Sequence, residues 1–210
     1  MKLPDTHRKA LFSLLFRRAQ IRLRGLRFQE RDETEVSGQD LLRIDTCWAV
    51  GVGMATLDMV RGADFQARHL ALALRSGEPY RVARALAFGG NRSRQRADRL
   101  IQASHALAER VNHPYAIGLA TLTAGNAAWL DGRWRAARTQ CERAEQILRE
   151  RCTGVDWEIL IAQVFGFASM FFLGEVAALA QRVPSLLEVN APLIAATAIC
   201  AILTNALFLQ

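Results

Sequence analysis

HPYAIGLATLTAGNAAWLDGRWRAARTQCERAEQILRE, residues 113–150, is the stretch whose reading decides the fold. Asn112-His113-Pro114 closes one element, and Tyr115–Leu130 then runs without a breaker at helical spacing. Asp131-Gly132 is a tight turn, and Trp134–Glu150 supplies a second helix of equal length. Two long helices joined by so short a turn must run antiparallel. Gly125, Gly132, Ala137 and Ala144 follow one another at spacings of 7, 5 and 7. Residues this small suit places where two helix backbones come close.

The same punctuation recurs on either side. Thr153-Gly154 separates a helix over Asp156–Leu173, Gly174 turns, and Glu175–Val189 returns, with Gly166, Gly174 and Ala178 as the small positions. Upstream, the spacing predicts a helix over 6–24, a charged loop over Gln29–Gly38, and a helix from Gln39 to about Arg61, weakened or closely packed at Gly51 and Gly53. Gly62-Ala-Asp64 reads as a stop followed by an N-cap, opening a short helix over Phe65–Arg75. Pro79–Phe88 and Arg92–Val111 are further helices, parted by Gly89-Gly90-Asn91, and Asn190-Ala-Pro192 opens a last helix to Leu209. No segment alternates as a strand does.

The expected fold is therefore all-α. The small-residue positions of 113–150, with Trp134 after the turn and Leu148 near the end, match a tetratricopeptide hairpin. Thr121 and Ala128 stand where that repeat carries Trp and Tyr, so the match is partial. On this reading antiparallel hairpins stack as a right-handed α-solenoid. Its parts are a basic amphipathic helix (1–28), N-terminal hairpins (39–112), tetratricopeptide-like hairpins (113–190) and an unpaired apolar helix (191–210).

Charge narrows the function. The net charge is +7, and residues 1–28 hold eight basic side chains against Asp5 alone, which accounts for all of it. Residues 29–210 are neutral, so the body is no polyanion binder and no nucleic-acid partner is expected. In the basic helix Phe12, Leu15, Phe16, Ala19, Leu23 and Leu26 share one face, with Arg17, Arg24 and Arg27 off it. That face is expected to dock on a preceding domain, with a membrane surface as the second reading.

Three strings, RGLRFQERDE (24–33), RIDTCWAVGVGMATLDMVRGADFQARHLALALRSGEPYRVARALAF (43–88) and GRWRAARTQCERAEQILRERCTGVDWE (132–158), resemble the C-terminal helical region of large bacterial serine/threonine protein kinases. Those proteins join a kinase domain to an ATPase module and a tetratricopeptide-like tail. The resemblance covers roughly residues 10–190 and implies a regulatory scaffold in a signalling protein, as a fragment or split tail. Its partner would be a protein or peptide, with a kinase or ATPase domain of the same system as the candidate. No kinase residue carries over. The chain has no G-x-G-x-x-G, V-A-I-K, H-R-D or D-F-G motif and no G-x-x-x-x-G-K-[ST] loop, so no enzyme is expected.

No cofactor or metal site is expected either, since His69 stands alone and His105 has only Glu109 at helical spacing. Cys47, Cys141, Cys152 and Cys200 are scattered and no signal peptide opens the chain, which suggests a reducing cytoplasmic compartment. The candidate interaction residues are Arg61, Arg68, Arg75, Arg81 and Arg84, with Trp129 and Trp134. They read either as a peptide groove or, preferably, as an arginine–carboxylate network tying hairpins together with the tryptophans in the core.

Val189–Gln210 carries no charge. Its length suits a membrane span, but Pro192, Thr197, Thr204 and Asn205 favour the first helix of an unfinished hairpin. Leu193, Ile194, Ile199, Ile202, Leu203, Leu207 and Phe208 surround that helix, so one neighbour cannot cover them all. Self-association through 191–208 should follow. Light scattering on size-exclusion chromatography should show an oligomer that becomes a monomer when the chain is ended at Asn190; a monomeric full chain would contradict this.

Overall fold

A computed structural model describes residues 7–55, 57–88 and 94–182. The described residues are helical, with no strand among them. The chain divides into two compact units between Asn112 and His113.

The first unit contains α1 (His7–Arg24), a 3₁₀ turn (Glu33–Glu35), α2 (Gly38–Met54), α3 (Met59–Ser76), α4 (Pro79–Ala87) and α5 (Arg94–Arg110). Ser37 and Asp58 cap α2 and α3, each accepting a backbone N–H of the first turn. The α2–α3 boundary differs from the reading of the sequence. Gly62-Ala-Asp64 is neither a stop nor a cap: α2 ends at Met54 and α3 is continuous from Met59, capped by Asp58. Gly62 is needed because the chain folds back on itself there, and a Cβ would lie 3.1 Å from the Ala55 N and Cα. Gly51 faces Gln66 and Trp48 faces His69, so residue numbers rise on α2 as they fall on α3, the mark of an antiparallel pair.

At the end of α3, Gly77 takes φ +79° and donates its N–H to the Ala73 carbonyl. Its own carbonyl accepts from the Arg31 amide at 3.1 Å, which pins the loop after α1. A Cβ at Gly77 would sit 1.9 Å from the Gln29 oxygen, so only glycine fits.

Helix α1 packs on α3 by the face opposite to its more aromatic one. Ala10, Leu14 and Ile21 are buried, Arg17 reaches Asp64 at 3.4 Å, and Arg24 donates to the Leu74 carbonyl at 3.0 Å. Phe12, Leu15, Phe16, Ala19 and Leu23, the face read as the docking face, point to solvent. A buried carboxylate on α3 selects the arginine side, and apolar periodicity cannot register that.

The second unit contains α6 (Pro114–Leu130), α7 (Trp134–Arg151) and α8 (Asp156–Phe172), and residues 176–182 are again helical. Ala137, Cys141, Ala144 and Leu148 form one buried stripe on α7. Across from it, Gly118 meets Leu148 and Gly125 meets Cys141 on α6. On the other side Ala144 packs with Leu122 and Ala162, and Gln163 donates to Glu145 at 2.7 Å. Both pairs are antiparallel. Helices α6 and α8 run the same way, since Tyr115 donates to Glu158 at 2.8 Å at one end and Trp129 meets Phe172 at the other. Thr121, Thr123 and Ser169 are buried and donate to carbonyls of their own helices, so they add no unpaired hydroxyl to the core. The expected turns at Asp131-Gly132 and Gly174 are present. The predicted helix over 191–208 and the turn at 89–91 lie outside the described residues.

Gly125 and Gly53 should respond oppositely to alanine. At Gly125 a Cβ would lie 2.7 Å from the Cys141 Sγ and 3.2 Å from its backbone N, so Gly125→Ala should cost about 1–3 kcal/mol by forcing α6 off α7. Gly53, helical with open space around it, should stabilise the protein by about 0.5–1 kcal/mol on Gly53→Ala. Urea unfolding followed by circular dichroism checks both signs.

Candidate functional site

The polar residues gathered in the first unit form two clusters. The larger one centres on Asp45 of α2. Arg81 of α4 sets its Nε 3.2 Å from both carboxylate oxygens and its Nη2 2.9 Å from Oδ2, while its Nη1 donates to Glu33 at 3.0 Å and to Glu78 at 3.1 Å. Arg84, one turn on, donates to the other Asp45 oxygen and to the Tyr80 hydroxyl, and its guanidinium stacks 5.2 Å from the Trp48 and Tyr80 rings. Glu78 is also the N-cap of α4, accepting the Tyr80 and Arg81 amides at 2.8 Å each. One carboxylate on α2 thus faces two arginines a helical turn apart on α4, held in place by an aromatic wall.

The second cluster lies under α1. Asp64 is fully buried, accepts from the Ser13 hydroxyl at 2.7 Å and pairs with Arg68 at 2.8 Å and Arg17 at 3.4 Å. Arg68 in turn lies 5.0 Å from the Phe65 ring.

The electrostatics follow from burial and pairing. Burial alone would raise the Asp45 carboxyl, but the hydrogen bonds and charges of Arg81 and Arg84 outweigh it and hold it below the usual range. Burial opposes ionisation of Arg81 too, and the surrounding Asp45, Glu33 and Glu78 hold it above its ordinary value. His69, behind Trp48, is pushed down to about 3 by burial and by the Arg84 charge, against a smaller opposing pull from Asp45. Among the described residues neither of its ring nitrogens has a hydrogen-bond partner. Burial pushes the Cys47 thiol up to about 11, and burial with Glu142 and Glu145 pushes Cys141 up to about 12, far from the range of a reactive thiolate.

The seven residues singled out in the sequence have separate surroundings. Arg61, Arg68 and Arg75 share one side of the continuous α3, yet Arg61 pairs with Asp58 at 3.4 Å, Arg68 is buried on Asp64, and Arg75 is exposed. Arg81 and Arg84 belong to the Asp45 cluster. Trp129 and Trp134 belong to the second unit, where Trp129 is buried among Trp134, Phe165 and Phe172 and Trp134 stacks on Phe172 at 4.4 Å. Sequence reasoning missed Asp45, Glu33, Trp48 and Tyr80. Asp45 and Trp48, three apart on α2, offered the one usable signal.

Chemically, the cationic groups of α4 are neutralised within the fold. His105 sits 3.5 Å from Glu109, and among the described residues no group of three or more His, Cys, Asp or Glu side chains is arranged to hold a metal ion. Among those residues, too, no helix is long and apolar enough to cross a membrane. Comparison of the chain with protein-family models, with curated proteins and with solved structures returns no match.

The His69 and Asp45 shifts act in one direction with pH. Between the ordinary 6.5 and about 3 the unfolded chain takes up a proton at His69 that the folded chain refuses, so stability is lost as pH falls through that window. The lowered Asp45 carboxyl likewise contributes above its ordinary pKa and loses that contribution as pH falls through its folded value. Urea midpoints measured from about pH 7 to about pH 4.5 should fall, with a His69 slope of up to about 1.4 kcal/mol per pH unit. His69→Leu should flatten that limb; an unchanged slope would show that another group carries it.

Proposed function

We propose that the chain is a non-catalytic helical-repeat scaffold that mediates protein–protein interaction or regulation within a bacterial kinase-type signalling protein. Its hairpins would stack as a tetratricopeptide-like right-handed α-solenoid. The observation that carries this reading is the arrangement of the second unit. There α7 is sandwiched by its small-residue stripe, and α6 and α8 lie side by side in the same direction. A repeat array propagates by adding such units, each burying the open side of the one before.

Two further observations agree with it. The arginines of α4 are engaged by carboxylates of the same unit, which supports a role in joining helices. In the second unit, Leu130, Phe171, Phe172 and Val176 are exposed large apolar side chains, the composition from which interfaces are built. The partner is a protein or peptide, and the kinase-tail resemblance makes a kinase or ATPase domain of the same system the first one to try.

Isothermal titration of the full chain with kinase and ATPase domains from the same genome tests this. Binding is expected with at least one of them, and Leu130→Glu/Phe171→Glu should weaken it by about tenfold or more. If none binds, or if the double variant binds as tightly as the wild type, the proposal or its surface is wrong.

A further inference from the structure

We propose that the outward face of α1 docks this protein onto an anionic lipid surface. The proposal is independent of the scaffold reading, since it concerns a different face and a different class of partner.

The face is built by a contradiction in α1. Its inner side is occupied: Ala10, Leu14 and Ile21 are buried, Ser13 and Arg17 are held by Asp64, and Arg24 is held by the Leu74 carbonyl. The helix is therefore anchored to the protein and fixed in rotation. Its outer side is nevertheless apolar: Leu11 is 46%, Phe12 73%, Leu15 53%, Phe16 66% and Leu23 90% exposed. Single exposed apolar residues are ordinary, but five large ones over four turns of one helix form a patch that water disfavours.

Charge identifies what covers it. No carboxylate stands anywhere in α1, and Arg8, Lys9 and Arg22 are exposed along with the apolar side chains. At 100° per residue, Arg8 and Arg22 fall on the same outer arc as Leu15 and Phe12, and Lys9 falls beside Phe16. A second copy of this face would set cation against cation. A nucleic acid would pair with the cations and leave two phenylalanines and three leucines unsatisfied. An anionic bilayer satisfies both: the apolar side chains enter the acyl boundary while Arg and Lys extend their stems to the headgroup phosphates. The whole excess positive charge of the chain lies within residues 1–28, where such a surface would attract it.

Flotation of the full chain with phosphatidylcholine–phosphatidylglycerol vesicles and with pure phosphatidylcholine vesicles tests the proposal. The wild type should float with the anionic vesicles, about tenfold or more less with the neutral ones, and less again at high salt. Phe12→Glu/Phe16→Glu should lose binding by about tenfold or more. Those side chains are exposed, so the helical circular dichroism and thermal midpoint should stay unchanged. Phe171→Glu, in the second unit, should float like the wild type. A wild type that stays with the vesicle-free fraction overturns the proposal, as does a Phe12→Glu/Phe16→Glu variant that floats undiminished. A double variant that dissociates an oligomer of the wild type without any lipid would assign the face to a second copy and overturn it equally.

Discussion

Helix spacing in both units is set at a few glycines where a neighbouring chain occupies the room a Cβ would take. In the first unit Gly62 lies against the Ala55 backbone and Gly51 against Gln66; in the second, Gly118 lies against Leu148 and Gly125 against Cys141. At Gly51, Gly118 and Gly125 the gap admits a side chain of the facing helix, and at Gly62 it admits the backbone of the preceding turn. In the second unit the larger residues gather at the end of the helices, where Trp129 meets Trp134 and Phe172. The apolar core is consequently a set of narrow seams of alanine, leucine and cysteine.

The second constraint is electrostatic and confined to places where seams alone would not specify an arrangement. Asp64 cannot remain buried without its arginines and the Ser13 hydroxyl, so α1 has one rotation in which it can dock. Asp45 plays the same part between α2 and α4, where Arg81 and Arg84 come from successive turns of a short helix. The cost of desolvating these charges is offset by multiple hydrogen bonds and by the aromatic faces of Trp48, Tyr80 and Phe65. Positive charge, which composition alone would assign to an anionic ligand, is in this region a device for joining helices.

Much of the all-helical fold was legible because turns write themselves in short-range chemistry. Ser76-Gly77, Asp131-Gly132 and Gly174 each mark a left-handed cap that few residues tolerate, and helix ends fell at them. The same local reasoning failed at Gly62-Ala-Asp64, since a glycine kept for a close contact and an aspartate kept for a buried ion pair look like a stop and a cap. At α1, which is apolar on both sides, periodicity identified the more aromatic face, while the seating of the other face on α3 through Asp64 left no local signal. The Asp45 cluster was invisible for a third reason. Its members are 36 and 39 residues apart in sequence, and no local pattern links them.

Among the described residues most helix packing joins elements that follow one another in the chain, while α1 on α3, α6 beside α8 and the Asp45 contacts of α2 with α4 do not. Such a molecule has little loop-closure entropy to overcome, and its hairpins can form on the microsecond-to-millisecond scale of local structure. The Ser13–Asp64 and Arg24–Leu74 bonds are different, joining residues 51 and 50 apart in the chain, and the Arg110–Glu30 bond joins residues 80 apart. Seating α1 on α3 therefore carries more loop-closure entropy than forming a hairpin does, and that cost falls on the element that bears the chain's excess positive charge.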